Sequence, residues 1–204
     1  GFSNVAKVDY ASAFGYSNEA SGLASSAVGF RNKAASENAS AVGYGNNANA
    51  LAASAVGYNN TAGGVGSSTI GYNNTATNEN ASAFGYGNTA GGLASSAFGF
   101  SNTASGDNAN AFGYNNIASG SKSNVFGTGN TVSGSSSTAV GTANEVAAEN
   151  STAIGNNNTI SSGAENSAAL GNNISISLKD SVALGNNSTA TAINSVTGNS
   201  SYTK

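Results

Sequence analysis

The sequence contains no cysteine and no histidine, and it also lacks methionine and tryptophan. Without cysteine there is no disulfide framework, and without cysteine or histidine the usual nucleophile–base pairs cannot be assembled. Charge is scarce, because only 7% of the residues are charged and only 6 of them are basic. The electrostatic basis for binding nucleic acid or an anionic membrane is therefore missing. No segment has the pattern of a signal peptide or the apolar length of a membrane span.

What the sequence does contain is a glycine that recurs at a constant fourteen-residue interval, which is the sign of a solenoid. The interval lengthens once, between Gly155 and Gly171, and returns to its earlier length at Gly185. Each glycine stands in the frame S-A-Φ-G-[YF]-x-N-x-A, where Φ is Val, Ile or Phe; Ser40 to Asn46 is one clear copy. The repeat glycines are Gly1, Gly15, Gly29, Gly43, Gly57, Gly71, Gly85, Gly99, Gly113, Gly127, Gly141, Gly155, Gly171 and Gly185.

The short alternating runs around each glycine are typical of β-strands, and glycine, asparagine, serine and threonine disfavour helix. A fourteen-residue coil has room for two strands of about five residues and two tight turns. The sequence therefore predicts an all-β fold, a two-sheet parallel β-roll whose coils stack at roughly 4.8 Å to a length of roughly 60 Å.

Both faces of the predicted strand are apolar. Alanine stands two residues before nearly every repeat glycine, with Thr69 and Val125 as exceptions, and this small face suits the interior of a thin coil. The residue directly before the glycine is bulky and points to the opposite face. We call these bulky residues the bulky row: Phe14, Val28, Val42, Val56, Ile70, Phe84, Phe98, Phe112, Phe126, Val140, Ile154, Leu170 and Leu184. A stripe of this size exceeds the apolar patch that a monomer tolerates, which predicts a homo-oligomer, most simply a trimer.

An asparagine follows three residues after the glycine in twelve consecutive copies, and we call this set the asparagine ladder. Asparagine tolerates the left-handed conformation of a tight turn, and its amide can bond to the copies above and below. The ladder consists of Asn4, Asn18, Asn32, Asn46, Asn60, Asn74, Asn88, Asn102, Asn116, Asn130, Asn144 and Asn158. Ile174 and Ser188 replace it in the last two copies, which predicts a change of turn geometry there.

These frames, together with DSVALGNNSTA from Asp180 to Ala190, resemble the YadA-like head repeats of trimeric autotransporter adhesins of Gram-negative bacteria. The resemblance covers nearly all of residues 1–195. It implies a left-handed parallel β-roll over residues 1–190 and three chains packed side by side. It also implies a place at the cell surface, on a stalk above an outer-membrane anchor that this sequence does not contain. Residues 191–204 form a tail that either starts a neck or only ends the chain.

The carboxylates are the remaining candidates for acid–base or metal chemistry, and none stands within the predicted strand. Glu37 and Glu79 share one register but are three coils apart, about 14 Å, whereas a glycosidase pair needs roughly 5 to 10 Å. The aspartate and glycine spacing also differs from that of calcium-binding rolls. We therefore expect no catalysis, no metal and no cofactor. The nine are Asp9, Glu19, Glu37, Glu79, Asp107, Glu145, Glu149, Glu165 and Asp180.

An aromatic residue directly follows the repeat glycine in nine consecutive copies, and threonine or asparagine replaces it from Thr128 onward. Exposed tyrosines are favoured at interfaces. We call these residues the aromatic row: Phe2, Tyr16, Phe30, Tyr44, Tyr58, Tyr72, Tyr86, Phe100 and Tyr114. Four apolar residues stand eight after the glycine, where a turn would expose them, and we call them the turn row: Leu23, Leu51, Val65 and Leu93.

These features and the family resemblance together predict a non-enzymatic adhesin head. Its partner is a host matrix protein or a host cell-surface receptor that docks on the aromatic and turn rows, unless the aromatic row packs against a neighbouring chain. One alternative is an ice-binding solenoid, although threonine recurs irregularly, with Lys33, Ala48 and Ile117 interrupting its positions. Another alternative is a structural spacer that only lifts other domains from the surface.

Overall fold

The computed structural model describes residues 1–192 and 195–197, in two units, Gly1–Ala104 and Ser105–Lys204. Each unit is a parallel β-solenoid in which every coil contributes one strand to each of two sheets. The predicted all-β solenoid with fourteen-residue coils is confirmed, since Gly57 of one coil pairs with Gly71 of the next. Within the described residues, the structure contains no helix with the length and apolar character needed to cross a bilayer.

The first unit contains fifteen strands, and long and short strands alternate along the chain. The long strands are β2 (Ser12–Tyr16), β4 (Ser26–Phe30), β6 (Ser40–Tyr44), β8 (Ser54–Tyr58), β10 (Ser68–Tyr72), β12 (Ser82–Tyr86) and β14 (Ser96–Phe100). The short strands are β1 (Val5–Ala6), β3 (Glu19–Ala20), β5 (Lys33–Ala34), β7 (Asn47–Ala48), β9 (Thr61–Ala62), β11 (Thr75–Ala76), β13 (Thr89–Ala90) and β15 (Thr103–Ala104).

The second unit continues the same alternation. Its long strands are β16 (Asn110–Tyr114), β18 (Asn124–Thr128), β20 (Thr138–Thr142), β22 (Thr152–Asn156), β24 (Ala168–Asn172) and β26 (Val182–Asn186). Its short strands are β17 (Ile117–Ala118), β19 (Thr131–Val132), β21 (Glu145–Val146), β23 (Thr159–Ile160) and β25 (Ser175–Ile176). The strands β27 (Thr189–Ala192) and β28 (Ser195–Thr197) pair antiparallel. Residues 193, 194 and 198–204 of the predicted tail lie outside the described part of the chain.

The strands pair in parallel and in strict register, each residue with its equivalent one coil later. Ile70 of β10 pairs with Val56 of β8 on one side and with Phe84 of β12 on the other. The two extra residues between Gly155 and Gly171 do not disturb this register, because Ile154 still pairs with Leu170. They are absorbed in the turn between β23 and β24, where Gly163 adopts a φ of 90°.

The second strand of each coil has two residues from β1 to β25 and four in β27, so the prediction of two five-residue strands is wrong for it. The reason lies in the turns, because each coil contains two residues in the left-handed conformation rather than one. In the coil that begins at Gly57 these are Asn59, with a φ of 54°, and Gly66, with a φ of 65°. The wider turn that contains Gly66 uses residues that the prediction assigned to a strand.

The interior is made of small side chains in the first unit. Alanines from the long strands, the short strands and the wide turns, such as Ala41, Ala48 and Ala53, are fully buried. In the second unit the short strands bring larger side chains inward, among them Val132, Val146 and Ile160. The expectation that the small face lines the interior therefore agrees with the structure, and the bulky row points outward.

Candidate binding surface

The asparagine ladder is the internal support of the surface, and it is buried from Asn18 onward. Its geometry is well shown by Asn74, whose Nδ2 donates to Asn60 Oδ1 at 3.0 Å, to the Ile70 carbonyl at 3.1 Å and to the Gly85 carbonyl at 2.7 Å. Its Oδ1 accepts from the backbone and side-chain nitrogens of Asn88 at 3.0 Å. The ladder thus fastens the end of each long strand to both neighbouring coils.

The conformational reason predicted for the ladder is wrong, because its asparagines are not left-handed. The left-handed residue is the one before each of them, for example Asn73, with a φ of 54°. Turn geometry also does not change near the C-terminus, since Asn173 and Asn187 keep φ values of 56° and 55°. The Ile174 amide still donates to Asn158 Oδ1 at 3.0 Å, and Ser188 Oγ donates to the Leu184 carbonyl at 2.7 Å. The backbone bond to the preceding coil is therefore kept at Ile174, and at Ser188 a hydroxyl replaces the amide that bonds the strand carbonyl.

The repeat glycines hold a conformation that an L-residue rarely adopts. Gly71 has a φ of 122°, and a Cβ atom built there would stand 2.1 Å from the carbonyl oxygen of Gly85. Asn74 Nδ2 donates a hydrogen bond to the Gly85 carbonyl, and this bond holds the next coil close to Gly71. The residues on either side of the glycine both face outward, as residues two apart in a strand do.

The bulky row and the aromatic row lie on one face, which we call the outer face of the long strands. Residues two apart in a strand point the same way, roughly 7 Å apart. Nine members of the bulky row are exposed in the isolated chain, from 36% at Val56 to 71% at Phe14, and the other four are half-buried. The rows predicted separately to pack the trimer and to bind a partner thus share one apolar face within each unit.

The rings of the aromatic row stack on one another in the first unit. From Phe2 to Phe100 the centroids of successive rings are 4.7 to 5.5 Å apart. The ring planes of Tyr58 and Tyr72 are 2° apart. Arg31 lies over the Phe30 ring, with its guanidinium carbon 5.1 Å from the centroid. Because each ring face is covered by the next ring, the surface presents ring edges and phenol hydroxyls rather than open stacking platforms.

The turn row lies in the wide turns, and its four members are each between 43% and 46% exposed. Asp9, Glu37 and Glu79 stand at the same register of other coils and are exposed as well. Apolar and acidic side chains are therefore interspersed along this row of turns. No ion pair involves these three carboxylates in the part of the chain that the structure describes.

Two further polar features were not predicted from the sequence. In the second unit, exposed asparagines bond between coils, Asn157 to Asn173 and Asn172 to Asn186, each at 2.9 Å. The signal in the sequence that could have predicted these bonds is a pair of adjacent asparagines that recurs at a fixed interval. Near the N-terminus Lys7 donates a hydrogen bond to Glu19, which lowers the pKa of that carboxyl. Glu19 is largely solvated, so the pair adds little stability.

The carboxylates do not converge on a common site. Within the described residues there is no group of three or more acidic side chains close enough to hold a metal ion. Asn166 donates to Asp180 at 3.0 Å, so this carboxylate is bound by an amide. The surface offers apolar contact area and hydrogen-bonding edges, which suit the binding of a macromolecule.

Comparison with known proteins identifies one family that matches this chain. The family model of the YadA head domain repeat, which spans two copies of the repeat, matches the chain in six overlapping or separate segments that together exceed half of its length. The matched segments are 9–32, 20–46, 62–88, 90–116, 133–158 and 179–196. No curated protein matches the chain.

Proposed function

We propose that this chain, which belongs to the family of YadA head domain repeats, is the head of a trimeric adhesin at the surface of a Gram-negative bacterium. The family match confirms the resemblance drawn from the repeat frames. Membership suggests an adhesin-like role of the trimeric autotransporter kind. The trimer, the left-handed winding, the outer-membrane anchorage and the host partner are our proposal.

The observation that carries the proposal is the outer face of the long strands. Its bulky row presents Val, Ile, Leu or Phe on successive coils, and nine of these thirteen side chains are at least 36% exposed in the isolated chain. An apolar stripe of this extent is tolerated when another surface covers it. Two further copies of the same chain would provide identical stripes around one axis, so that each bulky row packs on its neighbours.

The host partner docks, in this proposal, on the parts of the head that three packed bulky rows leave accessible. These are the edge of the aromatic row and the turn row, both richest in the first unit. Tyrosines give large contact area at low cost in side-chain entropy. Three identical rows on one trimer would raise the apparent affinity for a repetitive matrix protein or a clustered receptor without a tight single site.

A non-enzymatic role is part of the same proposal. General acid–base catalysis needs paired titratable groups within reach of one bond. The chain contains no histidine and no cysteine, and its nine carboxylates are distributed over eight coils, with Glu145 and Glu149 in the same one. The family and the solenoid fold are typically non-enzymatic, which agrees with this distribution.

The test is binding of the purified chain to immobilised collagen, fibronectin and laminin and to cultured epithelial cells. We expect binding to at least one of these surfaces. Replacing Leu23, Leu51, Val65 and Leu93 together by serine should weaken it, since their exposed side chains would be lost. A matched control replaces Ser121 and Ser135, at the same register of the second unit, by alanine.

The spacer and the ice-binding solenoid, the two alternatives to an adhesin, each predict a different result. A trimer that binds none of these surfaces would contradict the adhesin proposal and support a spacer. Thermal hysteresis in a cooled solution would support ice binding. Thr61, Thr75, Thr89 and Thr103 do pair along the short strands, but Lys33, Asn47 and Ile117 occupy this register on the neighbouring coils.

A further inference from the structure

We propose that four consecutive tyrosines of the aromatic row form an oxidative cross-linking site, at which a one-electron oxidant joins tyrosines on adjacent coils by a carbon–carbon bond. We call them the tyrosine run: Tyr44, Tyr58, Tyr72 and Tyr86. Phenylalanine flanks the run on both sides, at Phe30 and Phe100. Within the aromatic row of the first unit, only members of this run have a tyrosine on a neighbouring coil, because Tyr16 stacks between Phe2 and Phe30.

The geometry of the run favours coupling. All three pairs of successive rings have centroids 4.8 Å apart and planes within 4° of parallel. Rings related by such a translation have their equivalent ortho carbons at about the same 4.8 Å separation. Strand pairing holds this arrangement, since Tyr58 pairs with Tyr44 and Tyr72 in strict register. Each ring is also between 42% and 46% exposed, so it can rotate and can meet a diffusible oxidant.

The chemistry needs an external one-electron oxidant, such as a haem peroxidase supplied with hydrogen peroxide. Each of two tyrosines loses one electron and one phenolic proton and becomes a phenoxyl radical. The radicals join through ortho carbons, and both rings regain aromaticity when each ortho hydrogen moves to its phenol oxygen. One hydrogen peroxide takes up the two electrons and two protons and leaves as two water molecules. The product is a dityrosine with both hydroxyl groups intact.

In the stack, two tyrosyl radicals on adjacent coils are already neighbours and do not have to diffuse to each other. Reacting groups that are already held together couple far faster than groups that must diffuse to each other. In a solenoid each coil contacts only the coils beside it, so coils can separate one after another from an end. A dityrosine between Tyr58 and Tyr72 would close a loop of one coil and fasten two coils covalently. In a chain without cysteine, this cross-link would stabilise the fold covalently, as a disulfide does in other proteins.

The experiment treats the purified chain with haem peroxidase and hydrogen peroxide. We expect dityrosine fluorescence, a loss of two hydrogen atoms per cross-link in the intact mass, and peptides joined through neighbouring members of the run. On a denaturing gel the cross-linked chain should keep the mobility of a single chain. Its thermal unfolding should shift to higher temperature than that of the untreated chain.

Two double variants that remove the same number of tyrosines make the test specific. Tyr58→Phe with Tyr72→Phe leaves Tyr44 and Tyr86 without a tyrosine on a neighbouring coil, and the cross-link should be lost. Tyr44→Phe with Tyr86→Phe keeps one adjacent pair, and one cross-link should remain. Both variants keep every ring of the stack, so circular dichroism should show the same fold in both.

Three results would overturn the proposal. These are the absence of dityrosine in the unaltered chain, equal yields in the two double variants, and cross-links that join only different chains. The proposal does not depend on the adhesin function, because the readout is a covalent product rather than binding. Loss of host binding would therefore leave it standing, and loss of cross-linking would leave the adhesin proposal standing.

Discussion

At the scale of single residues, the asparagine ladder and the repeat glycines set how closely neighbouring coils approach each other. The asparagine ladder could be identified from its interval alone. Its conformation could not, because a ladder asparagine and the left-handed residue before it are neighbours, and both positions favour asparagine. The bond from Asn74 to the Gly85 carbonyl links different coils, and sequence spacing does not reveal such a bond.

Replacing Asn74 by alanine tests the ladder. The change removes the side-chain partner of the part-buried Ile70 and Gly85 carbonyls and of the buried Asn88 amide. We expect the free energy of unfolding to fall by about 3 kcal/mol, since each buried unsatisfied group costs about 1 to 3 kcal/mol. Urea denaturation measures this change in the free energy of unfolding. Asn49→Ala, at an exposed position, is the control and should change the value by less than about 0.5 kcal/mol.

A second substitution tests the repeat glycine. Gly71→Ala places a Cβ atom 2.1 Å from the Gly85 carbonyl oxygen at a φ of 122°. We expect a loss of more than about 3 kcal/mol, because a strained backbone and a rigid clash combine. Gly45, with a φ of 63° and no atom closer than 3.9 Å to a Cβ built there, is the control. Gly45→Asn should be tolerated within about 1 kcal/mol, and equal losses at both glycines would contradict this account.

At the scale of the structural elements, the long strands were predictable and the short strands were not. Alternation over five residues, as in Ser40–Tyr44, is a strong signal for a strand. The two-residue strands carry one outward and one inward residue, too few for any alternation to show. The longer interval after Gly155 marked an insertion, and parallel register explains why it could be absorbed only in a turn.

The aliphatic interior of the second unit gives a prediction at this scale. Ile160 in β23 is fully buried, so Ile160→Ala should leave a cavity and lower the free energy of unfolding by about 2 to 5 kcal/mol. Ile117 in β17 is 41% exposed and offers the same substitution outside the interior. Chemical denaturation of Ile117→Ala should show a change below about 1 kcal/mol, and a larger effect there than at Ile160 would be inconsistent with this packing.

At the scale of the whole molecule, the sequence predicted that the strands are apolar on both faces and that the small face lies inside. It did not separate the two proposed contact surfaces correctly. The bulky and aromatic rows flank the same glycine, so strand geometry alone places them on one face. A trimer built on the bulky row therefore brings the aromatic row to the border of the same interface.

Replacing Val56 by aspartate tests that interface. Val56 belongs to the bulky row, and an unpaired charge in a covered apolar stripe should prevent assembly. Val65→Asp makes the same change in the turn row, outside the outer face, and should leave assembly unaltered. Analytical ultracentrifugation of both variants distinguishes them. A folded Val56→Asp trimer with an unchanged melting temperature would show that this face is not the interface.

The central claim is that the outer face is covered by two further copies of this chain. Light scattering of the purified chain, with circular dichroism on the same sample, tests it most directly. We expect β-rich protein with a mass three times that of the 19.6 kDa chain. A stably folded monomer would contradict the claim, because the bulky row would then remain exposed to water without a partner.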